Sequence, residues 1–196
     1  MALAIELFTE GSLNTFAKPT NVDTNSRILC YDIRDLGKQL LPVGMLVVLD
    51  SVFNRIIRNR RLGRSTWVYI DEIYLLFQHE YSANFLFTLW KRVRKYGACC
   101  TGLTQNVDDL LQSHTARTML ANSEFLVMLN QASTDRAELA RLLNISDNQL
   151  SYITNVDFGR GLIKCGSAIV PFMDHFPKNN LYRLMSTKPS ETDAAA

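Results

Sequence analysis

The sequence predicts an α/β fold, a mainly parallel sheet flanked by helices with a β-hairpin near the C-terminus. Three observations lead there. Short apolar runs rich in β-branched and aromatic residues ("TWVYI", "ACCTGLTQ", "EFLVMLNQ") alternate with longer stretches whose apolar residues recur at three- and four-residue steps. That alternation is how βαβ units read in a sequence. The 196 residues, 47% hydrophobic and 20% charged, suit one sizeable core. No internal repeat, low-complexity tract or long linker divides them.

The elements follow in chain order. Residues 12–26, "SLNTFAKPTNVDTNS", are polar with Pro19 and read as a loop. "RILCYDIRDL" (Arg27–Leu36) reads as a short strand ending in acids. From Pro42 to about Leu62, Leu46, Leu49, Phe53, Ile56 and Ile57 mark a helix. Proline suits its first turn, and Arg58, Arg60 and Arg61 suit its last. "TWVYI" is expected to be a strand buried on both faces, with Trp67, Trp90 and the phenylalanines in the core. A second helix spans about Ser82–Tyr96 and stops at Gly97. "ACCTGLTQ" is the next strand, "NVDDLLQSHTARTMLANS" is helical or turn-like, and "EFLVMLNQ" is the third strong strand. Asp135-x-x-Glu138 and Ser146-x-x-Gln149 are capping-box patterns that start two further helices. "GRGLIKCGSAIVPF" supplies the hairpin, and "ETDAAA" reads as a frayed tail, so residues 1–188 form the domain and 189–196 the tail.

Composition excludes several classes. The net charge of +2 assigns no partner by itself; local basic clusters matter more. Cys30, Cys99, Cys100 and Cys165 include no C-x-x-C pair and suggest reduced thiols in the cytosol. His79, His114 and His175 are too scattered for a structural zinc. The start, "MALAIELFTEGS", lacks the basic n-region of a secretory signal. The longest apolar stretch, "LLPVGMLVVL", is half of the roughly 20 residues a membrane span needs, so membrane association is expected through a partner.

Asp71 and Glu72 directly follow the apolar strand "TWVYI". In open α/β sheets ligands collect beyond the carboxyl ends of strands, and an apolar strand ending in Asp-Glu is the Walker B pattern of nucleotide hydrolases. There the first acid holds Mg²⁺ and the second polarises the water that attacks the γ-phosphate. The competing reading is a pair of acids capping the helix behind them. Gln105 ends the next strand, "ACCTGLTQ". A neutral amide there can bond both the attacking water and a γ-phosphate oxygen without adding repulsive charge. The plainer alternative is a helix-capping glutamine.

The ordered segments "YIDEIYLLF", "LWKRVRKYG", "GLTQNVDDLL", "LNQASTDRAELARLLNIS" and "GLIKCGSAIVPF" resemble the conjugative-transfer ATPases of type IV secretion systems, within the FtsK/HerA-type group of RecA-like P-loop ATPases. The likeness extends upstream through "EGSLNTFAKPTNVDTNSRILCYDIRDLGKQL". It implies a RecA-like domain in a homo-hexameric motor that hydrolyses ATP with Mg²⁺ to drive DNA transfer or pilus assembly. Such a motor works at the cytoplasmic face of the membrane, alongside other secretion-channel proteins. By position, Asp71 corresponds to the Mg²⁺- and nucleotide-associated acid, Glu72 to the catalytic base and Gln105 to the sensor that contacts nucleotide and water. The resemblance also implies an arginine reaching a neighbouring subunit's γ-phosphate. Arg92 and Arg94 are the candidates, Arg136 and Arg160 the alternatives, and a solvated helix end is the plainer reading of "KRVRK".

One part of the pattern is missing. No G-x-x-x-x-G-K-[ST] occurs in these residues; Gly37-Lys38 lacks the preceding glycine loop. The expectation is therefore a C-terminal part of a larger ATPase, inactive and poor at binding ATP when alone. Two alternatives stay open: a DNA-pumping coupling protein or helicase of the same superfamily, and a non-catalytic docking or oligomerisation module. The basic run Arg55–Arg64 could contact DNA, or it could be a plain solvated helix end.

Overall fold

The computed structural model describes residues 6, 9–10, 14–19, 21–33, 35–37, 39–105 and 107–185, with backbone only at 15 and 133–135. The tail expected at 189–196, Lys38 and the Asp135 side chain lie outside them. The chain divides into two compact units, Met1–Asn106 and Val107–Ala196.

The first unit is a βαβ unit backed by one long helix. Helix α1 (Leu41–Arg61) opens with proline in its first turn and ends on Arg58, Arg60 and Arg61. It buries Met45, Leu49 and Ile56, whereas Leu46 is exposed, so the apolar stripe runs through Met45 instead. Strand β1 (Thr66–Ile70) leads through a 3-10 turn (Ile73–Phe77) into α2 (Glu80–Arg92). A second 3-10 turn, Val93–Tyr96, ends at Gly97, whose φ of 64° is easy for a residue without Cβ. The chain then enters β2 (Ala98–Gly102). The strands pair in parallel from Thr66↔Ala98 to Ile70↔Gly102.

Ile56, Leu89, Val93 and Ala98 form the core of this unit, ringed by Phe53, Val68, Phe85, Tyr96 and Cys100. Phe53 meets Phe85 and Tyr96 edge-on, at centroid distances of 6.2 and 5.7 Å. Among the described residues the helices pack on one sheet face. The other face carries Trp67 and Tyr69, 64% and 66% exposed, which corrects the expectation of a strand buried on both faces with Trp67 in the core. A five-residue apolar run does not reveal which face is covered. Arg27–Leu36 also departs from expectation and forms no strand among its described residues. Tyr31 instead bonds to α1 through the Ser51 hydroxyl at 2.8 Å, and Ile28 projects into solvent.

The second unit opens with α3 (Val107–Gln112) and α4 (His114–Ala121). Asp108 and Asp109 occupy the first turn of α3, and the Ser113 hydroxyl caps α4 by accepting from Ala116 N at 3.3 Å. Strand β3 (Phe125–Met128) pairs antiparallel with β4 (Arg160–Cys165), which forms the expected hairpin with β5 (Ala168–Met173). Parallel pairing among the described strands is thus confined to β1 and β2. Pro171 is tolerated because β5 is an edge strand.

Helix α5 (Ser133–Leu143) begins two residues before Asp135, with Ala132 at its N-cap, and not at the predicted capping box. The second box is present. Ser146 Oγ accepts from Gln149 N at 3.4 Å and Ser146 N donates to Gln149 Oε1 at 3.0 Å, opening α6 (Asp147–Leu150). The core gathers Leu111, Met128, Leu139, Leu143, Ile153 and Leu162. Glu138 ties α5 to α4 by accepting from Arg117 Nη2 at 2.6 Å. Phe125, Phe158 and Phe176 are exposed, contrary to the core role expected for the phenylalanines. Helix α7 (Asn180–Met185) ends the described chain.

Candidate functional site

At the carboxyl end of β1 the backbone makes a two-residue corner. Leu103, just past β2, donates its N–H to Ile70 O at 2.8 Å and accepts from Ile73 N at 2.9 Å. Both sides of the corner are therefore bonded to one residue, and the two left outside the ladder are Asp71 and Glu72. Closing the corner puts Glu72 at φ 45°, ψ 49°, a left-handed conformation that costs a residue with Cβ about 1–2 kcal/mol. Such strain persists only where surrounding bonds impose it, and here Leu103 imposes it. Gly102 completes the fit, since a Cβ there would come within 2.6 Å of Ile73 Cδ1.

The corner orients the acids. Asp71 Oδ1 accepts from Glu72 N at 3.1 Å, and Glu72 Oε2 accepts from Gln105 N at 3.4 Å. Asp71 and Gln105 are exposed and Glu72 is half-buried. Asp71, Glu72 and Gln105 thus share one rim, the carboxyl ends of two in-register parallel strands. Their chemistry suits a hydrated divalent cation at Asp71, a base at Glu72 and an amide beside it. The acids fit the metal side of a Mg²⁺–nucleotide complex; the phosphate cradle has no counterpart in this sequence.

The neighbouring cysteines differ. Burial, reinforced by the Cys99 thiol, pushes the Cys100 thiol up to about 12, whereas Cys99 is exposed.

Arg92 and Arg94 are not brought to this rim. They precede Gly97, whose carbonyl accepts from Thr66 N where the strands begin. The length of a five-residue strand, roughly 13 Å, separates them from the acids. Both are exposed. In the second unit, Arg136 is half-buried on α5, and Arg160 Nη2 is 3.7 Å from Asp157 Oδ2. The basic run has partners of its own: Arg55 bonds Thr24 O and Ser26 O, Arg58 bonds Asn25, and Arg60 lies over the Tyr96 ring.

Sequence reasoning missed Gly102, Leu103 and Ile73, the residues that build the corner. A glycine ending an apolar strand beside the acids was the available signal. Among the described residues no helix is long and apolar enough to cross a membrane.

A model of the TraG P-loop domain matches residues 18–160. Among solved structures, VirB4 of Thermoanaerobacter pseudethanolicus has the same fold, with a TM-score of 0.77 and 24% identity over 92% of this chain. The matched region is 50% of that protein, so the chain spans about half its length. No curated protein matches the sequence.

Proposed function

Because the chain belongs to the TraG P-loop domain family, a conjugative-transfer group of P-loop ATPases, we propose that it is the acid-and-sensor portion of an ATP-hydrolysing motor for type IV secretion or conjugation. One observation carries this reading: the Gln105 N–H meets the Glu72 carboxylate at the shared rim of β1 and β2. In this proposal Asp71 holds the hydrated Mg²⁺, Glu72 takes the proton of the attacking water, and Gln105 orients that water. Mg²⁺·ATP supplies the phosphoanhydride and the charge neutralisation. A corner fixed on both sides suits a base that must not wander, because preorganisation lowers the barrier without a reorganisation cost at the moment of reaction.

No G-x-x-x-x-G-K-[ST] occurs here, so we assign the cradle for ATP's phosphates at this rim to polypeptide other than these 196 residues. At this rim the chain alone then binds ATP weakly and does not turn it over. Arg92 and Arg94, exposed and far from their own rim, suit a role toward a neighbouring subunit's nucleotide better than toward their own. That reading goes with a homo-hexamer acting with other secretion-channel proteins, and with DNA as cargo, at the cytoplasmic face of the membrane.

The test is Glu72→Gln in the intact protein that contains this chain. ATP turnover is expected to be lost while nucleotide binding is retained. Turnover at the unsubstituted rate would overturn the assignment of Glu72 as base.

A further inference from the structure

The polar side of α1 carries Ser51, Asn54, Arg55, Arg58 and Arg61 at the steps that bring helix side chains to one face. The segment from Thr24 to Tyr31 covers the first part of this stripe. Arg55 donates to Thr24 O and, at 2.8 Å, to Ser26 O; Arg58 Nη1 donates to Asn25 Oδ1 at 3.2 Å. Two hollows follow the stripe. One, of about 230 Å³, lies under the covering segment against Tyr31, Asn54, Arg55 and Arg58. The other, of about 480 Å³, lies beyond it and is lined by Asn54, Ile57, Arg58, Arg61 and Leu62.

Among the described residues, no carboxylate lines either hollow. The one acid of α1, Asp50, accepts from Asn54 Nδ2 at 2.8 Å. The bonds of Arg55 and Arg58 are to carbonyl and amide oxygens, which orient a guanidinium without neutralising it. Arg61 is exposed and forms no ion pair or hydrogen bond with a described residue. Three cations along about 9 Å of helix repel one another. The helix dipole offsets only part of that, and only in the last turn.

We propose that the larger hollow binds the diphosphate group of a small anion, gripped by Arg58 and Arg61 and bonded by Asn54. Each donor has capacity to spare. Arg58 uses one N–H of its five on Asn25, Arg61 has all five available, and Asn54 has a second amide hydrogen. Arg58 and Arg61 are separated by roughly 4.5 Å along the axis, so adjacent phosphoryl groups can each meet one guanidinium. The covering segment leaves only these two arginines facing the open hollow. That is too short a row for a nucleic-acid backbone, which binds through many phosphate contacts. Inorganic pyrophosphate and the diphosphate of a nucleotide share the chemistry recognised here.

The experiment titrates the full chain with inorganic pyrophosphate and, separately, with Mg²⁺-free ADP, at low salt by calorimetry. Saturable binding is expected, with Arg61→Gln weakening it about tenfold or more. Arg64→Gln, which removes an equal charge outside the hollow, should change it less than about twofold. Arg61 bonds no described residue, so Arg61→Gln should melt like the unsubstituted chain. Tighter ADP than pyrophosphate identifies a nucleotide as the source; equal affinities identify the free anion. The proposal is overturned by no saturable binding of either probe, by equal losses in the two variants, or by a short deoxythymidylate oligonucleotide binding more tightly than both with the same dependence on Arg61.

Discussion

Gly102→Ala tests whether the corner that presents Asp71 and Glu72 is built by close packing. An added Cβ falls 2.6 Å from Ile73 Cδ1 and 3.2 Å from Ile73 Cγ2. Carbon pairs prefer about 3.5–4.0 Å, so roughly 1 Å of overlap must be relieved. Ile73 is 5% exposed and its backbone is held by Leu103 O, so its side chain can give way only into packed surroundings. Overpacking of this kind costs about 1–3 kcal/mol. Replacing a glycine returns about 0.4–1 kcal/mol by restricting the unfolded chain. The net expectation is a loss of about 1–2 kcal/mol. Ile73→Val removes the clashing Cδ1 and alone should cost about 0.5–1.5 kcal/mol. The pair should then be less damaging than the sum, by about 1 kcal/mol of coupling. Urea unfolding followed by tryptophan fluorescence reads this directly, because Trp67 and Trp90 both lie in the first unit. Strict additivity, or a stabilised Gly102→Ala, would show that Gly102 is not needed for the approach of Ile73.

Three other outcomes are expected. Gly161→Ala should cost about 2–4 kcal/mol by far-UV dichroism in urea, since its Cβ would lie 2.2 Å from the Met128 carbonyl oxygen of β3 and backbone cannot swing aside; a loss below about 1 kcal/mol refutes this. At position 72 the left-handed backbone ranks substitutions, so Glu72→Gly should stabilise by roughly 0.5 kcal/mol and Glu72→Val destabilise by roughly 1–2 kcal/mol; the reverse order in urea melts contradicts the strain. Cys100, held protonated up to about 12 against 9.0 unperturbed, keeps its proton when the unfolded chain has lost it, so its contribution is complete below pH 9 and fades as pH rises toward 12. Iodoacetamide at mildly alkaline pH should modify Cys99 well before Cys100 by mass spectrometry, and equal rates would be inconsistent with that burial.

The parts legible in the sequence were those set by local chemistry. The βαβ order, the stop at Gly97, the Ser146–Gln149 box and the hairpin each follow from spacing or from a residue's own backbone preference. The rim location of Asp71, Glu72 and Gln105 was also legible, because parallel pairing puts successive strand ends on one side. The rest depends on what lies across space. "TWVYI" cannot say that helices cover only one of its faces. "RILCYDIRDL" has strand-forming residues, but a strand requires a neighbour, and among the described residues none pairs with it. The left-handed turn at Glu72 falls on a residue type that gives no hint of it; two bonds from Leu103 decide it.

Those two bonds have a mechanical consequence. One residue, Leu103, anchors the chain on both sides of the acids, so the backbone that carries them is coupled to the end of β2. A shift of the end of β2 therefore reaches the backbone of Glu72 through two hydrogen bonds, and a displacement of that backbone reaches β2 by the same route.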